Sequence, residues 1–122
     1  MTGIKGKLTI KNYLGGYYYP TCDEVEIHSD EIHLIEAKHT RSARLPSRED
    51  IKDGLLKMIL FTNLKYLKVS DKSYKPVPIL KLTTGSGFNL NSLGNSQRAL
   101  LIELEQEAKK NEFQVTINGE SL

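Results

Sequence analysis

The chain has little cysteine: one residue, Cys22, in 122. An internal disulfide is excluded, and a reducing compartment is favoured, so the expected location is cytoplasmic. No apolar run approaches the ~18 residues of a membrane span, so no membrane partner is expected. The opening stretch MTGIKGKLTIKN lacks the apolar h-region of a secretory signal. Repeats, low-complexity tracts and linkers are also missing. Residues 1–122 are therefore expected to form a single domain, either whole or as a fragment of a larger enzyme. A chain of this length can bury roughly two-thirds of its unfolded surface, enough for a core.

Charge is ordinary in amount but uneven in position. Net charge is +2. Residues 1–20 contain no acid, and residues 23–37 contain no Lys or Arg. The latter segment holds Asp23, Glu24, Glu26, Asp30, Glu31 and Glu36, and it is followed at once by Lys38, Arg41, Arg44 and Arg48. A further basic block contains Lys65, Lys68, Lys72, Lys75 and Lys81. Acid clusters suit hard metal ions, and basic clusters suit phosphates.

Periodicity supplies the elements. GKLTIKNY alternates as a half-buried strand does. LGGYYYP is a bend with an aromatic run. DEVEIH and IHLIEAKHT alternate about the short turn SDE and predict a hairpin. Ser47 is a natural N-cap for a helix over 47–64, with Asp50 as capping partner and an apolar stripe of Ile51, Leu55, Met58, Ile59 and Thr62, widened by Leu56 and Leu60. YLKVS and PVPILKLTT read as strands separated by a DKSYK turn. A second helix is predicted over 96–110, with Leu100, Leu101, Leu104 and Ala108 inward, and EFQVTING as a final strand. Hairpins followed by helix crossovers predict an α/β fold, a mixed β-sheet flanked by helices.

The hairpin carries the chemistry. Asp23 opens its first strand, while Glu36 and Lys38 share a face near the end of its second. Where these faces coincide, two carboxylates and an ammonium meet at one sheet edge. Two carboxylates with open positions suit Mg²⁺, with Mn²⁺ as a substitute. A metal-bound water is an acidified nucleophile, and Lys38 can hold that water or face a charged phosphate. The pattern fits phosphodiester hydrolysis.

CDEVEIHSDEIHLIEAKHT resembles the core of the PD-(D/E)XK nuclease superfamily. There an acid starts the second strand of a meander, an acid-x-Lys triplet ends the third, and a helix follows. The triplet maps onto Glu36-Ala37-Lys38 and the separate acid onto Asp23, with Glu24 and Glu26 as competitors for that role. The resemblance implies a restriction-endonuclease-like core over residues 7–83, with metal held by Asp23, Glu36 and the carbonyl of Ala37. EAKHTRSARLPSREDIKDGLLKMILF is further similar to catalytic regions of type II restriction endonucleases. The implied activity is Mg²⁺-dependent cleavage of DNA, with His39, Arg41, Arg44 and Arg48 on the DNA backbone. Cutting both strands of a palindrome would require a twofold homodimer. The alternatives are a DNA repair or junction-resolving nuclease, or a non-catalytic nucleic-acid-binding module with the same fold. Two departures stand out. Pro20 is not adjacent to Asp23, and the acid-bearing helix that usually opens the family core has no counterpart in residues 1–20.

Other residues read more plainly. His28, His33 and His39 match no compact zinc spacing and are expected to be solvated. Cys22 lacks a nucleophile's partners and is expected to be a structural thiol. Tyr13 and Tyr17 to Tyr19 are expected to pack in strands rather than stack on bases. GSGFN lacks the Gly-Lys-Ser/Thr of a P-loop and reads as a turn.

Overall fold

A computed structural model describes residues 4–7, 9–11, 17–18, 21–64 and 67–122. In chain order it contains β1 (Ile4–Lys7), β2 (Ile10–Lys11), β3 (Tyr17–Tyr18), β4 (Thr21–His28), β5 (Glu31–His39), α1 (Arg48–Thr62), β6 (Leu67–Val69), β7 (Lys72–Thr83), α2 (Asn95–Asn111), β8 (Gln114–Ile117) and β9 (Glu120–Ser121), with a 3-10 turn at Leu90–Ser92. The main sheet runs β1-β4-β5-β7-β8-β9, with β6 paired to β7 beside that path. β2 and β3 pair with each other separately. The fold is mixed α/β. Among the described residues, no helix is long and apolar enough to cross a membrane.

Direction follows from connection length. β4 and β5 are antiparallel, joined through Ser29 and Asp30, with His28 opposite Glu31 and Ser29 at φ 57°. β5 and β7 are parallel from Glu31–Lys75 to His39–Thr83, and β7 and β8 are parallel from Ile79–Gln114 to Leu82–Ile117. Parallel neighbours need a long crossover; α1 supplies the first and α2 the second.

Both helices cover the same sheet face. Ile32 and Leu34 of β5, Leu80 and Leu82 of β7, and Val115 and Ile117 of β8 alternate onto it and join Ile51, Met58 and Phe61 of α1 and Leu100 and Leu104 of α2 in one core. The other face carries Glu24, Glu26, His33, Lys81 and Thr116 together with the buried Ile35 and Ile79, and no helix among the described residues covers it.

α1 starts where its cap predicts, with Ser47 Oγ accepting the Asp50 N–H at 3.1 Å. Its buried stripe differs from the expected one. Ile51, Gly54, Met58 and Phe61 are buried, while Leu56 and Ile59 are exposed. Gly54 explains the rotation: a Cβ there would lie 2.6 Å from Leu80 Cδ1, so the bare backbone lets the helix settle onto β7.

Three further boundaries moved. The single strand expected in GKLTIKNY is two elements, β1 against β4 and β2 against β3. DKSYK is mostly strand, because Ser70 and Asp71 make the turn with φ of 49° and 70°. Pro76 and Pro78 are tolerated inside β7 because Lys75 N donates to Asp30 O on the β5 side. The prolines then direct their missing N–H toward β8, which pairs only from Ile79 onward. Finally, Asn118 and Gly119, at φ 49° and 86°, turn the chain into β9.

Candidate functional site

The site forms where β4 parts from β5. Their ladder pairs Glu24 with Ile35. One residue further, the side chain of Asp23 replaces a backbone acceptor: Asp23 Oδ2 accepts the Ala37 N–H at 2.9 Å. This brings Asp23 to the strand edge beside Glu36. Because an extended residue directs its N–H and C=O to the same side, the Ala37 carbonyl also faces the β4 side.

Glu36 is 7% exposed, the one buried charged residue among those described. Burial holds its carboxyl above the ordinary value, and the Asp23 charge pushes the same way. Lys57 and then Lys38 pull it back, and a hydrogen bond shared with Asp23 adds to the rise. Lys38 Nζ lies 3.8 Å from Glu36 Oε2. Asp23, Glu36 and Lys38 therefore occupy one locus, at the edge of the helix-covered face.

The competing acids are elsewhere. Alternation puts Glu24 and Glu26 on the open face, where Glu24 meets Lys81 at 3.0 Å and Glu26 meets His28 at 3.0 Å. Only Asp23 reaches Glu36.

Lys57 is a residue that sequence reasoning missed. Its ammonium donates to the Thr21 carbonyl at the start of β4, which places a cation beside the two carboxylates. Only the packing of α1 onto β5 and β7 brings Lys57 to the start of β4, and no local spacing signals it.

The proposed backbone-binding residues divide. Arg41 and Arg44 are exposed on the loop after β5. That loop is anchored: Thr40 N donates to Thr83 O at 3.1 Å, Gly85 N to Ser42 O at 2.7 Å, and Leu45 N to Gln97 Oε1 at 2.9 Å. A Cβ at Gly85 would fall 1.9 Å from the Arg41 carbonyl, so the contact requires glycine. Arg48 differs, since its guanidinium is engaged by Glu103 of α2 at 3.1 Å. His39 also differs. It alternates to the face opposite Lys38 and bonds Thr83 Oγ1 through Nδ1 at 2.7 Å.

The Lys65 to Lys81 block is split. Lys68, Lys72 and Lys75 are exposed, with Lys72 over the Tyr74 ring, while Lys81 is paired with Glu24. Lys65, Tyr13 and Tyr19 lie outside the described residues. Cys22 is fully buried, and its Sγ meets the carbonyls of Glu24 at 3.0 Å and Ile35 at 3.4 Å. Burial, more than any other influence, pushes the thiol up to about 11, which suits a structural role.

The histidines keep access to solvent, and two of them come together. His28 is exposed and His33 half-buried, and their rings lie 4.3 Å apart between centroids, beside Glu26.

No family model, curated protein or solved structure matches this chain.

Proposed function

We propose that this chain is a Mg²⁺-dependent endonuclease that hydrolyses DNA phosphodiester bonds, of the type II restriction kind or its catalytic domain. The observation that carries this reading is the convergence of Asp23, Glu36 and Lys38 where β4 and β5 part, with Asp23 holding the Ala37 N–H.

The donor set fits a hard divalent cation. It offers two carboxylates and a carbonyl on the same side, all oxygen, with no sulfur or imidazole. Glu36 is buried against a second acid, an arrangement that costs free energy until a cation offsets the charge. Asp23, Glu36 and the Ala37 carbonyl would hold the ion. Magnesium bound there supplies Lewis-acid activation of a water and charge neutralisation at a phosphate.

The chain's own residues do the rest. Asp23 is oriented by the Ala37 N–H, so its free oxygen faces the site. Lys38 places a compact ammonium within reach of an attacking water or a nonbridging phosphate oxygen, where charge develops in the transition state. Lys57 adds positive charge at the same edge. Arg41 and Arg44 stand on an anchored loop directly after the active strand, in position to take backbone phosphates without reading bases.

Supercoiled plasmid with Mg²⁺ or Mn²⁺ tests the reading. The parent should convert it to nicked or linear forms, and Glu36→Gln and Lys38→Ala should each lower the rate by about 10²-fold or more while remaining folded. A parent that cuts no DNA with either metal, or a Lys38→Ala protein that cuts as fast as the parent, would exclude it.

A further inference from the structure

A second cluster of ligating side chains sits on the open face of the sheet, away from the carboxylates of Asp23 and Glu36. Cross-strand register builds it. Glu26 of β4 is directly opposite His33 of β5, and His28 is directly opposite Glu31. Alternation places all four side chains on one face. His28 and His33 are then diagonal neighbours, with ring centroids 4.3 Å apart and planes tilted by 33°. One ligand atom each from Glu26, His28 and His33 lies within 4.8 Å of the others.

We infer that Glu26, His28 and His33 form a binding site for a borderline divalent transition ion of the Zn²⁺ class. Two imidazoles and one carboxylate match the ligand preference of Zn²⁺, Co²⁺ and Ni²⁺ and differ from the all-oxygen set that Mg²⁺ prefers. Tetrahedral Zn–N bonds of about 2.0 Å put ligand atoms about 3.3 Å apart. The ligand atoms must therefore draw together by up to about 1.5 Å. Side-chain exposure is 49% for His28, 25% for Glu26 and 22% for His33, so solvent reaches all three ligands.

The backbone needs no movement. The Ser29–Asp30 loop is only two residues long, and Lys75 N ties the Asp30 carbonyl to β7, so the hairpin that carries the ligands is held from both sides. Glu31, 3.5 Å from Nε2 of His33, adds a second negative charge at the rim and a partner for a ring nitrogen. With three protein ligands, a fourth position stays open to solvent. An ion held there bridges β4 and β5 and acts as a cross-strand clip at the turn end of the hairpin.

The competing description is a pair of surface His–Glu hydrogen bonds, His28 with Glu26 and His33 with Glu31, that binds no metal. Zn²⁺ calorimetry and Co²⁺ visible absorption on the tag-free full chain separate the two. The chain should carry Glu36→Gln, and millimolar Mg²⁺ should be present, so that the carboxylate site contributes nothing. One-to-one saturable binding is expected, with the intense visible bands of low-coordinate Co²⁺ and a rise in Tm on adding Zn²⁺. His28→Gln and His33→Gln should each weaken Zn²⁺ by at least about tenfold, and Glu26→Gln likewise. All three positions are solvent-accessible, and circular dichroism of each variant confirms folding. Absence of saturable Zn²⁺ binding, or unchanged binding in the His28→Gln/His33→Gln double variant, would overturn the assignment.

Discussion

Asp23 Oδ2 accepts the backbone N–H of Ala37, the residue between Glu36 and Lys38, at 2.9 Å. A side chain of β4 thereby does a backbone's work in pairing with β5, and the same bond fixes the acid next to the buried carboxyl. Charge and hydrogen bonding can be separated by mutation. Asp23→Asn keeps an acceptor oxygen for Ala37 and removes the negative charge that pushes Glu36 up. It should leave urea stability unchanged or slightly higher and abolish Mn²⁺ binding. Asp23→Ala loses the acceptor as well and should lower stability by about 1 kcal/mol, since water reaches this exposed N–H. Urea melts paired with Mn²⁺ titrations distinguish the two. A destabilised Asp23→Asn protein would show that the charge, not the acceptor, holds the strand edge.

Glu36 makes stability depend on pH in a defined direction. Its folded-state carboxyl is held above 4.5, chiefly by burial and then by Asp23. The folded state therefore keeps this proton at a pH where the unfolded chain has released it. Stability is full below the unfolded value and falls as pH rises through the window between 4.5 and the raised value. Glu36→Gln, which mimics the protonated form, should remove that decline and be more stable than the parent at neutral pH without metal. Mg²⁺ should narrow the gap by stabilising the parent alone. Thermal melts from pH 4 to 8, with and without Mg²⁺, provide the check. A Glu36→Gln protein that is less stable than the parent at every pH would contradict the sign.

The arginines after β5 are not equivalent. Arg41 and Arg44 are exposed, whereas Arg48 meets Glu103 at 3.1 Å. Neutralising Arg41 and Arg44 together should weaken binding to all duplexes alike and flatten the salt dependence by about 0.9 in slope per lost phosphate contact. Arg48→Gln should leave the slope unchanged and cost under ~1 kcal/mol of stability through the exposed ion pair. Fluorescence anisotropy across a salt series reads both. Equal slopes in all variants would mean that the loop only solvates its charges.

Local features were legible in the sequence, and non-local ones were not. Ser47 capped α1 as its spacing from Asp50 suggested, because a cap is decided within one turn. The hairpin and its face parity were legible because alternation is local. The exposure of Leu56 and Ile59 was not, since it depends on Gly54 meeting Leu80 across the crossover. The start of β7 was misplaced because polar residues beside a tight turn read as loop, although Ser70 and Asp71 alone make the bend. His28 and His33 were dismissed for lack of a linear spacing, yet the β4–β5 register brings their rings together. Lys57 was invisible for the same kind of reason. Its role depends on how a helix lies over a strand that ends more than a helix length earlier in the chain.

Lys57 therefore invites the sharpest comparison with Lys38. Both cations lower the Glu36 carboxyl, and Lys57 does so more strongly. Lys38 stands on β5 3.8 Å from Glu36, whereas the ammonium of Lys57 is tethered to the Thr21 carbonyl. Under the proposed mechanism the tether suits Lys57 to a positioning role that tunes charge, and Lys38 to contact with the phosphate. Lys57→Met should push the Glu36 carboxyl further up, displace the acid limb of the pH–rate profile to higher pH and leave the plateau rate within a few-fold of the parent. Lys38→Ala should instead lower the plateau by about 10²-fold or more, with a smaller displacement of the limb. Lys38→Arg should restore little, because a planar guanidinium does not reproduce a compact ammonium. Direct titration of the Glu36 side chain by carbon-detected NMR supplies a readout independent of cleavage. If Lys57→Met leaves that titration where it was, the helix lysine has no part in the site.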